Sequence, residues 1–174
     1  MKRIQLKSEV APLNPAYSID ELRCCLGDIG AAALATVAGF CPAADQAAES
    51  LDITMLSVAS CAEEPAGTFS VEAPHRRRIS AEQPLDQGAS LALLLHNSGT
   101  TARPKLIGLT HENLCASAQS IAGLLALTPE DRTLNVMPLF HVHGLVGCLL
   151  STLSAGASVY CSPGFNALHF GRWI

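Results

Sequence analysis

Short apolar runs alternate along the chain with segments of helical periodicity, and this alternation constrains the fold more than any other feature. Runs at 32–37, 53–59 and 91–95 have the length and composition of strands, whereas 18–27 and 110–125 carry helix-start signals or an apolar stripe at helical spacing. Alternating strands and helices favour an α/β fold in which helices flank a largely parallel sheet. The uninterrupted run LALLL at 91–95 is typical of a strand buried on both faces.

Local end signals define several helices. Ser18 and Glu21 have the spacing of a capping box, which predicts a helix ending near Gly27, and Thr110 is placed to cap a later one. The other predicted helices lie at 43–51, 143–153 and 167–174, and the other strands at 134–137 and 158–161. Between 60 and 88 the pattern dissolves into polar residues, Pro and Gly. We expect an irregular connecting excursion there, with an edge strand at 68–71, followed by a second subdomain at 89–174.

The composition indicates apolar faces that pack on something else. Of the 174 residues, 49% are hydrophobic and 15% charged, against roughly 25% charged in an average soluble domain. A membrane protein could explain this, but no nearly uninterrupted apolar stretch approaches the about 20 residues that a spanning helix needs. Both ends of the chain also look cut, since residues 167–174 are apolar and uncapped. The sequence therefore favours part of a larger fold without a membrane span.

Charge and cysteine content exclude further classes of protein. A net charge of -4 argues against nucleic-acid binding. The seven cysteines include no CxxC pair and no cluster with His at zinc spacing. Their surroundings are mostly apolar in sequence, so we expect packing residues in a reducing, cytoplasmic protein and no metal site. The start of the chain has no signal-peptide pattern.

The loop at 96–105, HNSGTTARPK, carries the chemistry. Ser98, Thr100 and Thr101 place three hydroxyl groups within four residues, Gly99 permits close approach of the backbone to a ligand, and Lys105 adds a positive charge. The loop follows an apolar strand, where α/β sheets place their ligands. Such a donor set suits a polyphosphate.

The loop has two alternative interpretations. A Walker A loop requires a second Gly directly before the Lys, which this sequence lacks. An ordinary turn whose Ser and Thr hydroxyls bond their own backbone remains open on the loop alone.

The loop and several other segments, in order along the chain, resemble the adenylate-forming superfamily of acyl-CoA synthetases, luciferases and peptide-synthetase adenylation domains. SGTTARPK resembles its phosphate loop, and NVMPLFHVHG at 135–144 resembles a downstream block in which a strand ends in Pro before a His-containing turn. The segments LTHENL at 109–114, AGASV at 155–159 and PLNPAY at 12–17 also match. The wording MPLFHVHG is closest to the branch of oxalyl-CoA synthetase-like enzymes.

The resemblance implies a partial N-terminal AMP-binding domain over 1–174, with the C-terminal domain absent. It implies that Ser98, Gly99, Thr100, Thr101 and Lys105 contact the phosphates of ATP and that His141 is a catalytic residue beside the carboxylate and α-phosphate. The implied reaction activates a carboxylic acid to acyl-AMP and transfers it to coenzyme A. The Mg²⁺ ligand would lie outside this chain, and the acyl substrate and oligomeric state cannot be read from it.

Some departures from the family pattern bear on these expectations. Asn97 stands where Thr is usual, and Ala102 and Leu106 stand where Gly is common. His141 and His143 form an H-x-H pair, but two ligands do not make a metal site, and we expect His143 to start a helix or to pack. We expect an incomplete chain that does not adenylate by itself; the alternative is a non-catalytic nucleotide-binding or scaffold module that retains the loop.

Overall fold

A computed structural model of the chain describes residues 9–60, 63–65, 67–73, 91–97 and 105–173. The chain divides into two compact units, one made of Leu13–Leu85 and the other of Met1–Pro12 with Asp86–Ile174. Each unit combines helices with short strands, which confirms the predicted α/β class. Within the described ranges, no helix has both the length and the apolar character needed to cross a bilayer.

The unit at 13–85, which we call the N-terminal unit, contains two helices and three strands. They are α1 (Ile19–Asp28), β1 (Ala33–Val37), α2 (Pro42–Ser50), β2 (Thr54–Ala59) and β3 (Ser70–Glu72). β1 and β2 pair in parallel, and β3 is antiparallel to β2 at the edge of the sheet. The four predictions for α1, β1, α2 and β2 are each correct to within about two residues. The predicted edge strand at 68–71 is found as β3.

The core of the N-terminal unit lies between α1 and α2. Leu22 and Leu26 are 1% and 2% exposed, and they pack with Cys41, Ala44 and Ala47. Small alanines on α2 let the larger leucines of α1 fill the space between the helices. The capping box predicted for α1 is present: the Ser18 side chain accepts from the Glu21 N–H, and the Glu21 carboxylate accepts from the Ser18 N–H at 2.8 Å.

The other unit, which we call the loop unit, begins with a hairpin and continues through short elements. They are β4 (Leu91–Asn97), β5 (Lys105–Thr110), α3 (His111–Leu124), β6 (Arg132–Asn135), a π-helical segment (His143–Leu150), α4 (Ser151–Ser154), β7 (Ser158–Cys161) and α5 (Ala167–Trp173). β4 and β5 are antiparallel, and β6 and β7 are parallel. The helix predicted at 167–174 and the strand at 158–161 are found, and the strand predicted at 134–137 lies instead at 132–135.

The hairpin corrects the prediction of a loop at 96–105. β4 continues to Asn97, and Lys105 opens β5, a strand that was not predicted. Gly108 lets the Leu91 side chain of the opposite strand lie over it, because a Cβ there would lie 2.8 Å from Cδ2 of Leu91. The prediction that β4 is buried on both faces is also wrong at its start: Leu93 is 4% exposed, but Leu91 is 39% exposed.

The helix predicted at 143–153 is π-helical for most of its length. His143–Leu150 has π geometry, and only Ser151–Ser154 is α-helical. Ser151 is buried at the junction, where its hydroxyl donates to the Gly147 carbonyl at 2.6 Å. Wider turns leave carbonyls free for such side-chain donors. Gly156 then reverses the chain with φ +78°, a conformation that favours glycine.

Much of the predicted excursion at 60–88 lies outside the described residues, so the subdomain boundaries at 60–88 and 89–174 stay predictions. The expectation of mostly apolar cysteine surroundings is only partly met. Of the six described cysteines, Cys25 and Cys41 are buried and Cys148 is half-buried, but the others are exposed.

Candidate functional site

The β4–β5 hairpin holds the two ends of the predicted phosphate loop. Asn97, the last residue of β4, pairs directly with Lys105, the first residue of β5. Residues 98–104 therefore connect two adjacent positions of one antiparallel ladder. Lys105 is exposed, so its ammonium group is available to a ligand at this end of the hairpin. Four other predicted loop residues, Ser98, Gly99, Thr100 and Thr101, lie outside the described residues.

His96 lies beside the predicted loop, in the ladder position opposite Leu106. Its side chain is half-buried, and Nε2 has no hydrogen-bond partner among the described residues. A buried imidazole nitrogen normally finds a partner. The loop end of β4 therefore presents a polar group that can pair with a group brought by the loop or by a ligand.

His141 lies on a tight turn between β6 and the π-helical segment. Its backbone N–H donates to the Pro138 carbonyl at 3.1 Å, and its own carbonyl accepts from the Leu145 N–H at 3.0 Å. These bonds fix the backbone of His141 on both sides while its side chain stays exposed. The predicted catalytic residue is thus presented outward from a well-anchored turn.

The imidazole of His141 has a defined orientation. Its Nδ1 accepts a hydrogen bond from the backbone N–H of His143 at 3.2 Å. A ring nitrogen that accepts a hydrogen bond carries no proton, so neutral His141 holds its proton on Nε2. Nε2 is therefore a donor that can bind a carboxylate or phosphate oxygen. His143, expected to start a helix, does so, as the first residue of the π-helical segment.

Gly144 lets the His141 turn close against the start of the π-helical segment. Gly144 is buried, and a Cβ at this position would contact the Pro138 carbonyl oxygen and lie 2.8 Å from the Met137 carbonyl oxygen. Any larger residue would push the turn away from the helix. The glycine is thus required by close approach rather than by an unusual φ.

Asn135 is the functional candidate that sequence reasoning missed. Its side chain is 2% exposed; Nδ2 donates to the Gly144 carbonyl at 3.3 Å, and Oδ1 accepts from the Met137 N–H at 3.0 Å. The available signal was a lone Asn inside the otherwise apolar strand predicted at 134–137, where a buried amide needs several partners.

The titratable groups of this unit offer no second catalytic centre among the described residues. No group of three or more His, Cys, Asp and Glu side chains in the described ranges could hold a metal ion. Burial in the π-helical segment, with a smaller contribution from Cys161, raises the pKa of the Cys148 thiol. A protonated thiol is a poor nucleophile, so Cys148 is a packing residue here.

Comparison with known proteins places the chain in one family. The AMP-binding enzyme family matches residues 6–174. The chain is 38% identical over 156 residues to an oxalate–CoA ligase of Arabidopsis thaliana, covering 90% of this chain and 30% of the relative. It is 37% identical over 157 residues to the probable CoA ligase CCL9 of Humulus lupulus, again covering 90% and 30%. The chain thus spans about 30% of the length of these curated relatives.

Solved structures agree. ATP-bound MatB from Rhodopseudomonas palustris has a TM-score of 0.66 at 26% identity, covering 89% of this chain and 30% of that one. A malonyl-CoA ligase in complex with methylmalonyl-CoA and AMP has a TM-score of 0.71 at 25% identity, covering 96% and 32%. The predicted fold, part of the N-terminal domain of an adenylate-forming enzyme, is confirmed. The chain belongs to the AMP-binding enzyme family.

Proposed function

We propose that this chain supplies the phosphate-binding part of an ATP-dependent acid–thiol ligase. In the proposed reaction a carboxylate oxygen attacks the α-phosphorus of ATP, the bond from that phosphorus to the bridging oxygen breaks, and pyrophosphate leaves. The sulfur of coenzyme A then attacks the acyl carbon of the acyl-adenylate and displaces AMP. The observation that carries the proposal is the ladder pairing of Asn97 with Lys105, which brings the residues on either side of 98–104 together.

We assign the phosphates of ATP to this loop. Lys105 supplies a positive charge, Ser98, Thr100 and Thr101 supply hydroxyl donors, and Gly99 permits close approach of the backbone. Hydrogen bonds to charged oxygens contribute roughly 1.5–3 kcal/mol each. Positioned donors of this kind stabilise the charge that develops on departing pyrophosphate.

We assign His141 to the reacting carboxylate and α-phosphate. Its Nε2–H is the free donor, because Nδ1 is occupied by the His143 N–H at 3.2 Å. An uncharged N–H donor can stabilise the charge on a phosphate oxygen by hydrogen bonding without repelling Mg²⁺. His141 would thus orient the two reactants rather than exchange protons with them.

The remaining assignments concern groups that this site needs from elsewhere. ATP-dependent enzymes bind Mg²⁺ through carboxylates and the substrate phosphates, and neither residues 87–111, around the phosphate loop, nor residues 132–174, around His141, contain an Asp or Glu. We therefore place the protein ligand of Mg²⁺ outside these 174 residues. Small dicarboxylic acids are the first substrates to test, since relatives are named for oxalate and malonate. A cytoplasmic location remains part of the proposal.

Titration of the purified chain with ATP tests the binding step. We expect Thr100→Ala to weaken ATP binding about tenfold, the effect of one hydrogen bond to a charged oxygen at the lower end of that range. The matched control is Ser117→Ala, which removes an exposed hydroxyl on α3 and should leave the affinity unchanged. Equal affinities for wild type and Thr100→Ala would contradict the assignment of the loop.

Exchange of labelled pyrophosphate into ATP tests the catalytic step. We expect background exchange from these 174 residues alone, since they span about 30% of the length of the curated relatives. Exchange clearly above background, with oxalate or malonate present, would overturn that expectation. ATP binding without exchange even when the chain is joined to the missing two-thirds of a relative would favour a non-catalytic module.

A further inference from the structure

The buried amide of Asn135 bonds both ends of the turn that contains His141. Asn135 ends β6, pairs with Cys161 of β7, and through its own carbonyl accepts the Ser162 N–H at 3.0 Å. The residue is thus fixed by both strands before its side chain is considered. Its side chain then points away from the ladder, toward the start of the π-helical segment.

The Asn135 amide joins the two ends of this turn. Oδ1 accepts from the Met137 N–H at 3.0 Å, at the entry, and Nδ2 donates to the Gly144 carbonyl at 3.3 Å, at the exit. A hydroxyl or an apolar side chain cannot offer an acceptor and a donor in this fork geometry. Both bonded groups belong to the backbone that encloses residues 138–143.

His141 lies inside this enclosed turn. Its backbone N–H bonds Pro138, and its Nδ1 accepts from His143, so the ring is held by residues whose positions depend on the closed turn. The His143 N–H must point into the turn for the bond to form. If the turn opens, this bond breaks, and the neutral ring is free to carry its proton on either nitrogen.

We propose that Asn135 is a positioning residue that fixes His141 as an Nε2–H donor by bridging the Met137 N–H and the Gly144 carbonyl. The inference rests on the proposed function for the use of that donor, but the geometry it predicts exists without any ligand. The proposal assigns Asn135 no contact with substrate.

The test is the tautomer of His141, read from long-range proton–nitrogen correlation spectra of the ligand-free 174-residue chain above the titration range of histidine. Wild type should show one tautomer with the proton on Nε2. Asn135→Ala and Gly144→Ala should both give averaged signals from the two tautomers. Gly144→Ala opens the same turn from its other side, because its Cβ would collide with the Met137 and Pro138 carbonyls.

Thr133→Val is the matched control. Thr133 lies on the same strand and bonds the Thr152 hydroxyl at 2.7 Å, so this variant loses a hydrogen bond without touching the turn. It should keep the wild-type tautomer although it is less stable. A folded Asn135→Ala chain with the wild-type tautomer would overturn the proposal.

Two further measurements on the wild-type chain distinguish the remaining outcomes. If Asn135→Ala does not fold, the wild-type chain decides: slow solvent exchange of the Asn135 side-chain amide protons supports the bridge, and fast exchange contradicts it. ATP titration of the same wild-type sample reports separately on the proposed function. Loss of the tautomer in Asn135→Ala with no ATP binding in wild type would support the positioning role and contradict the phosphate site.

Discussion

The two units are stabilised by different means. In the N-terminal unit the described core is apolar: Leu22 and Leu26 pack on the small residues of α2. In the described part of the loop unit, buried apolar side chains such as Leu93 and Val146 are joined by three polar residues that are buried at least as deeply, Asn135, Ser151 and Thr152, all at 2% exposure or less. Buried polar groups must be hydrogen-bonded, and their partners fix direction as well as distance. The contrast indicates that one unit is built for packing and the other for holding a turn in a defined geometry.

Removing apolar volume from the N-terminal unit should give the largest effect. Leu22→Ala leaves a cavity at a side chain that is 1% exposed, and we expect a loss of about 2–5 kcal/mol in the free energy of unfolding. Urea denaturation followed by circular dichroism measures this loss. Leu124→Ala on α3, at a side chain 86% exposed, is the control and should change stability by less than about 0.5 kcal/mol. A comparable loss in both variants would break the contrast.

Removing one hydrogen-bonding side chain from the loop unit should lower the free energy of unfolding by a smaller amount. The loss should depend on whether the side chain that it bonds is still present. Thr152→Val leaves the Thr133 hydroxyl without the bond it makes at 2.7 Å, and we expect a loss of about 1–3 kcal/mol. The double variant Thr133→Val with Thr152→Val removes both polar groups and should recover most of that loss. Denaturation of the three variants gives the coupling. If the two single losses simply add, direct bonding between the hydroxyls contributes nothing.

Substitutions in the two capping boxes should have the smallest effect on stability. Only the box that contains Glu21 should respond to pH. Hydrogen bonds from the Ser18 backbone and then its side chain lower the pKa of Glu21 below its ordinary value near 4.5. Because the pKa of Glu21 is lowered in the folded state, its charged carboxylate stabilises the fold at pH above the ordinary pKa. This stabilisation is lost as pH falls through the folded-state pKa. The box at Thr110 and Asn113 has the same bonds without a charge.

Thermal unfolding between neutral and acidic pH tests this difference. We expect Glu21→Gln to flatten part of the loss of Tm on acidification, because the amide makes a similar cap that does not titrate. Asn113→Gln, which leaves no titrating group in the second box, should keep the wild-type pH dependence. An unchanged pH profile in Glu21→Gln would show that the cap of α1 does not depend on the carboxylate charge.

Local signals in the sequence were sufficient for much of the fold. Ser18 with Glu21 and Thr110 act within one helical turn, and both helix starts are found where these residues predict them. The strand β7 is bounded by Gly156 and is also found as predicted. Signals that act over three or four residues can be read without knowing what packs on them.

The misses share a non-local cause. β5 is a strand because β4 pairs with it, and this pairing is not visible in KLIGLT alone. The π-helical segment has an apolar pattern that an α-helix would also satisfy. The role of Asn135 depends on Gly144, nine residues away, whose carbonyl accepts its Nδ2. Motif resemblance predicted a role for His141 but not for Asn135, whose amide bonds both ends of its turn.

In our proposal the end of the β4–β5 hairpin binds a polyphosphate. The most direct test uses a polyphosphate that carries no nucleoside. Isothermal titration with inorganic tripolyphosphate should show binding to wild type, about tenfold weaker binding to Lys105→Ala, and little change in Arg172→Ala, which removes a cation from the last turn of α5. Lys105→Arg should retain most of the affinity. Equal tripolyphosphate affinity for wild type and Lys105→Ala would contradict the account.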